Sequence, residues 1–221
     1  MEPDYFIGLD LGQASDYTAL AVLERSVVAL DQACPPEPAY SLRHLKRFAL
    51  GTPYTAIVPS VARLAASPSL EGRCTLVVDQ TGVGRPVVDM LRDAPVPARI
   101  VPVTITGGNA VTVTEDGSHH VPKKELVTRL QLLLQSRRLK VPRTLREVDI
   151  LVKELKDFQV RITAAAHETF GTWREGQHDD LVLAVALSGW FAEREPCWGF
   201  KAFGFGEKSV IASAPEGVFL S

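Results

Sequence analysis

The chain reads as an α/β protein built on a mixed β-sheet with helices on both faces. Three observations predict this. Strand-like segments open the chain and then alternate with helical ones, the order expected of a sheet that carries helices on its faces. Residues 74–79 are short and almost wholly apolar, as in a strand buried on both sides. Residues 122–137 set Leu126, Leu130, Leu133 and Leu134 on one helical face. With 221 residues, the chain is long enough for one domain with a full core.

From the N-terminus, residues 5–11 form a strand that is apolar except at Asp10. Gly12 to Asp16 is turn chemistry, and residues 17–25 return as the second strand of a hairpin. Pro35, Pro36 and Pro38 make 31–39 a loop, and a third strand occupies 40–48. A helix follows over 52–66, with Pro53 in its first turn, Ile57, Val61 and Leu64 at helical spacing, and Pro59 as a flaw in the pattern. After the 74–79 strand come a helix over 85–93 that stops before Pro95 and a strand over 99–105. Residues 106–121, rich in Gly, Thr, Asn and His, read as an inserted loop or protruding hairpin turning at Asp116-Gly117. Helices over 122–137 and 144–157, two short strands at 158–164 and 168–173, and a last helix over 178–194 complete the domain. The domain is thus expected to span 1–195, and the Phe- and Gly-containing stretch 196–221, which lacks any period, reads as a flexible tail.

Hydrophobic residues make up 46% and charged residues 23%, ordinary for a globular protein. A net charge of −2 offers no global basic field, although a local basic patch can coexist with acidic ligands that cancel it in the sum. Three cysteines with no C-x-x-C spacing point to a reducing compartment without disulfides or a zinc site. The acidic N-terminus is unlike a signal peptide, and no apolar run approaches the roughly 18 residues of a spanning helix. A cytoplasmic protein without membrane contact is expected.

The chemistry lies in three acidic positions set against apolar runs: Asp10, Asp79 at the end of its strand, and Asp179-Asp180 at the start of the last helix. A carboxylate beside an apolar segment is costly to desolvate unless compensated. A shared divalent cation, which takes oxygen ligands, would compensate all three. Gly8, Asp10 and Gly12 share one face of their strand, and the glycines read as open space beside the carboxylate for a metal and a phosphate. Asp79 falls where open α/β sheets form ligand crevices. Each acid also has a structural reading: a helix cap for Asp179 or Asp180, and a turn residue for Asp79 and Asp16. An aspartate within a strand, as Asp10 is expected to be, is harder to explain structurally. Lys123 and Lys124 oppose a helix dipole at their helix start, which phosphate contact would justify, although a solvated helix end explains them equally. His119 and His120 read as exposed loop residues, His178 as a neighbour of the site or of a cap, Arg137, Arg138 and Lys140 as a solvated basic face, and Trp190 as core.

Four blocks together resemble the nuclease domain of the large terminase subunit of tailed bacteriophages, within the RNase H-like superfamily. They are Gly8-Leu9-Asp10-Leu11-Gly12, Val77-Val78-Asp79-Gln80-Thr81-Gly82-Val83-Gly84, Gly107-Gly108 followed by Val121-Pro122-Lys123-Lys124-Glu125-Leu126-Val127, and His178-Asp179-Asp180-Leu181-Val182-Leu183-Ala184. The resemblance covers roughly residues 5–194. It implies an RNase H-like fold and a two-metal endonuclease, loaded with Mg²⁺ or Mn²⁺, that cuts concatemeric viral DNA during packaging. It implies Asp10, Asp79, Asp179 and Asp180 as catalytic metal ligands, with Asp10 bridging and Asp16 where some members carry a further acid. One of Asp179 and Asp180 suffices as ligand; the sequence leaves the choice open. Two-metal chemistry of this kind activates an attacking water and steadies the leaving 3′ oxygen. Double-stranded DNA is the implied substrate, with Lys123 and Lys124 toward it. Portal protein, the small terminase subunit and a terminase ATPase domain are the implied partners, in the host cytoplasm.

The sequence departs from a full large terminase in one respect. No G-x-x-x-x-G-K-[ST] phosphate loop is found. The chain is therefore expected to be an isolated nuclease domain, whether a fragment or a stand-alone product, that neither hydrolyses ATP nor translocates DNA by itself. Two other enzyme classes share parts of the pattern. A Holliday-junction resolvase has the same acids, and actin-like ATPases and sugar kinases have a first motif like Gly8 to Gly12. A non-enzymatic docking scaffold is the third alternative, against which the intact acid set argues.

Overall fold

A computed structural model describes residues 4–12, 16–28, 37–82, 85–157, 159–162, 168–171 and 178–196. The strands are β1 (Asp4–Asp10), β2 (Ala19–Val28), β3 (Glu37–Arg47), β4 (Cys74–Asp79), β5 (Arg99–Thr106), β6 (Thr112–Val113), β7 (His119–Pro122), β8 (Leu139–Lys140), β9 (Gln159–Ile162) and β10 (Glu168–Gly171). The helices are α1 (Tyr54–Ala65), α2 (Arg85–Asp93), α3 (Lys123–Gln135), α4 (Val148–Asp157) and α5 (Asp180–Arg194). Eight strands form one mixed sheet in the order β6-β7-β5-β4-β1-β2-β3-β8, while β9 and β10 pair separately. β1, β2 and β3 run as an antiparallel meander, whereas β4 lies parallel to β1, β5 to β4 and β7 to β5. The mixed sheet with helices on both faces is as the sequence predicts.

Strand alternation divides the core in two. Tyr5, Ile7 and Leu9 of β1 pack with α1 and α2 through Ile57, Val61, Val88 and Leu91. Phe6, with Ala21 and Leu23 of β2 and Val77 of β4, packs on the other face against Leu126 and Leu130 of α3 and most of α5. α5 is buried from Asp180 through Ala192, as a helix apolar all round must be. Its backbone presses directly on the sheet, because a Cβ on Gly8 would overlap the carbonyl oxygen of Ala184. Gly12 is equally confined, by the backbone of Asp16 and Tyr17. The expectation of open space beside Asp10 is thereby corrected: the two glycines permit close backbone packing and do not reserve room for a phosphate.

Other differences have local causes. Pro59 does sit inside α1, on its exposed side, where the bond it cannot donate is lost to a solvent-facing turn. The segment 106–121 is only partly an excursion. β6 and β7 make a hairpin turning at Gly117, but β7 is laid into the main sheet beside β5. His119 is therefore no exposed loop residue; its ring stands edge-on to Trp190 and Phe191. Arg138 is not solvated either, since its guanidinium binds Glu193 of α5 and the carbonyl of Pro38. Within the expected tail, only Pro196 is among the described residues.

Candidate metal centre

The parallel pairing of β1 with β4 brings the C-terminal ends of two neighbouring strands to the same edge. Asp10 is the last residue of β1 and Asp79 the last of β4, so Asp10 stands at a strand end and not mid-strand. Both belong to the alternation that faces α5, and α5 begins at Asp180. A cleft of about 520 Å³ opens here, lined by Asp10, Asp16, Asp179 and Asp180 together with Lys123 and His178. Asp79 stands beside it, its carboxyl next to that of Asp10.

The surrounding turns are pinned. The backbone N–H of Gly12 donates to Thr18 Oγ1 at 3.1 Å, and the Tyr54 hydroxyl donates to the Gly12 carbonyl at 2.7 Å. Asp79 Oδ1 accepts the Thr81 N–H at 2.8 Å, and Thr81 Oγ1 in turn accepts the N–H of Ile105 at 2.7 Å. The strand ends carrying the acids are thus held from both sides.

Asp10, Asp79 and Asp180 are all buried. Burial pushes the Asp10 carboxyl well above its ordinary range, and the charges of Asp79, Asp180 and Asp179 push it further. Burial likewise raises Asp79, against the pull of its bonds to Thr81. Burial raises Asp180 to about 6, although Arg47 and His178 favour its ionised form. Two cations offset part of this density: Lys123 Nζ donates to Asp179 Oδ2 at 2.7 Å, and Arg47 Nη2 to Asp180 Oδ2 at 3.1 Å.

Among the described residues no three His, Cys, Asp or Glu side chains form a ready coordination shell. Asp179 and Asp180 are engaged with Lys123 and Arg47. The chemistry of the acids nevertheless fits a hard divalent ion such as Mg²⁺ or Mn²⁺: the donors are carboxylate oxygens, they converge on one cleft, and they repel one another where water is scarce.

The third acidic position is more elaborate than a helix cap. Asp179 occupies the N-cap place of α5, yet its side chain makes no capping hydrogen bond. Its carboxylate goes to Lys123. The unpaired N–H groups of the first turn are taken from another helix: Glu154 Oε2 of α4 accepts those of Leu181 at 3.0 Å and Val182 at 3.1 Å. Glu154 also pairs with Arg47. Burial lifts Glu154 to about 7, against the pull of the Val182 N–H and Arg47. His178 Nδ1 lies 3.8 Å from Asp180 Oδ2 and 3.9 Å from Asp16 Oδ1, with its ring edge-on to Tyr17.

The structure therefore brings Asp10, Asp16, Asp79, Asp179, Asp180 and Lys123 to one place. Lys124 does not join them; its ammonium is exposed and binds Asn109. Arg47 and Glu154 escaped sequence reasoning. Glu154 did leave a trace, since it falls on the helical face carrying Val148, Leu151 and Leu155, where an acid is out of place.

No family model matches the sequence, and no curated protein sequence matches it. Solved structures do. The chain has the RNase H-like fold of large-terminase nuclease domains. The large terminase nuclease of the thermophilic phage G20c, solved with bound magnesium, matches with a TM-score of 0.58 at 23% identity, covering 85% of this chain and 80% of that one. The nuclease domain of the bacteriophage SPP1 large terminase, with bound manganese, gives 0.51 at 10% identity over 87% of each chain. The human cytomegalovirus terminase nuclease domain, soaked with manganese, gives 0.50 at 12% identity, covering 86% of this chain and 84% of that one. At such identities the likeness is one of fold.

Proposed function

We propose that the chain is a metal-dependent DNA endonuclease of the terminase type, its nuclease domain spanning residues 1–195. It would cut concatemeric double-stranded viral DNA during genome packaging, in the host cytoplasm. Portal protein, the small terminase subunit and a terminase ATPase domain would be its partners. The observation that carries this reading is the convergence of acids from β1 and α5 on one cleft, with the acid of β4 beside it, where neighbouring carboxylates oppose the ionisation of Asp10. The likeness to nuclease structures solved with magnesium or manganese supports it.

Asp10, Asp79 and the Asp179-Asp180 pair would hold two Mg²⁺ or Mn²⁺ ions, with the more exposed Asp16 at the rim. Bound there, the ions would supply charge stabilisation and an acidified water for phosphodiester hydrolysis. Asp10 would be the central ligand of the set, because the charges of Asp79, Asp180 and Asp179 all act on it. Lys123 steadies Asp179 and sets a positive charge at the cleft that an approaching phosphate would meet. Lys124, half-buried beside it, would add a contact to the DNA backbone.

The test is plasmid cleavage in Mg²⁺ or Mn²⁺. Wild type should cut, and Asp10→Ala and Asp79→Ala should each lose roughly 100-fold or more in rate. Equal cutting by all three proteins would contradict the reading. Preference for four-way over linear DNA would favour a junction resolvase, and nucleotide hydrolysis without DNA cleavage a phosphate-binding ATPase.

A further inference from the structure

Resting on the nuclease reading, we infer that Glu154 and Arg47 are positioning residues: Glu154 caps α5 from outside, which frees Asp179 and Asp180 to face the cleft, and Arg47 ties that cap to Asp180. A helix start normally takes its capping oxygen from its own N-cap residue. Here that residue is Asp179, and its side chain points to Lys123. Glu154 supplies the missing acceptor with one oxygen, bonding the Leu181 and Val182 N–H groups, and holds Arg47 with the other. The same Arg47 nitrogen reaches Asp180 Oδ2 at 3.1 Å, while its guanidinium lies 4.5 Å above the Tyr17 ring. One carboxylate oxygen of Asp180 is thereby fixed.

Burial makes this a costly arrangement. Glu154 is 5% exposed, and a buried ion pair contributes little net stability beside an apolar pair of the same size. Its consequence is geometric: a rigid orientation of the acids at the start of α5. Outer-shell partners that orient ligands in this way typically change metal affinity 10- to 100-fold when removed.

The experiment is calorimetric titration of Mn²⁺ into the full chain, below the melting temperature, alongside thermal melts and plasmid cleavage. Glu154→Ala and Arg47→Ala should weaken Mn²⁺ binding about 10-fold or more and lower kcat with little change in KM for DNA. Glu154→Gln keeps an acceptor for the two N–H groups but loses the charge, so it should fold and still bind Mn²⁺ several-fold more weakly. It serves as the test if the alanine variant fails to fold. Folded variants with wild-type Mn²⁺ affinity, whatever their melting temperature, would overturn the positioning role and leave only a structural one. A wild type that binds Mn²⁺ without cutting DNA would remove the nuclease reading alone, and weaker Mn²⁺ binding by the variants would still support positioning. A wild type that binds no Mn²⁺ would overturn both.

Discussion

Asp10 is the residue on which the electrostatics of the site bear most heavily. It is buried at the end of β1, and the charges of Asp79, Asp180 and Asp179 all oppose its own. Removing that charge should relieve the folded, metal-free protein. Asp10→Asn should therefore raise the melting temperature at pH 8 in the presence of a chelator, by roughly 2–4 °C per kcal/mol of repulsion relieved. The same variant should lose metal-dependent cleavage. A melting temperature at or below that of wild type would mean that the neighbouring charges do not act on Asp10 as described. The four principal acids were legible in the sequence because the signal is local: a charge beside an apolar run. Glu154 and Arg47 were not. Their partners lie far off in sequence, 107 residues separating the two and 27 separating Glu154 from Leu181, and no local pattern encodes such contacts.

At the scale of elements, α5 decides the fate of the site, because its N-cap and first turn carry two of the acids. Its other end is anchored as well. Glu193 accepts hydrogen bonds from the Tyr40 hydroxyl and from both terminal nitrogens of Arg138. Burial opposes the Glu193 charge, but the Arg138 and Tyr40 bonds outweigh it and hold the carboxyl below its ordinary value of 4.5. A lowered value in the folded state means that the stabilisation is present above pH 4.5 and is lost as the pH falls through the folded value. Glu193→Gln should thus destabilise the protein by about 1–3 kcal/mol at pH 7. In denaturant titrations across pH the gap to wild type should narrow below pH 4.5; a gap that widens toward acid would contradict it. Most elements could be read from apolar runs, periodicity and turn signals, including β1 to β5 and all five helices. The two-residue β6 and β8 are too short to show a period, and β7 was absorbed into a polar stretch whose composition resembles a loop. Their pairing is set by neighbouring strands and not by their own residues.

At the scale of the whole molecule, topology makes the cleft. The meander of β1 to β3 places β1 at the middle of the sheet, parallel pairing aligns its end with that of β4, and α5 crosses that face with its backbone on Gly8. α3 then delivers Lys123 to Asp179 across 56 residues of sequence. The order of strands and helices made the fold class readable in advance. The glycines at 8 and 12 were misread because a motif shows that space is needed, and only the packing shows what fills it. The most direct test of the central claim, that these acids hold divalent cations, is an anomalous difference map from crystals of the chain soaked in Mn²⁺. Strong peaks are expected within coordination distance of Asp10, Asp79 and at least one of Asp179 and Asp180. A cleft without such a peak under saturating Mn²⁺, with these side chains ordered, would contradict it.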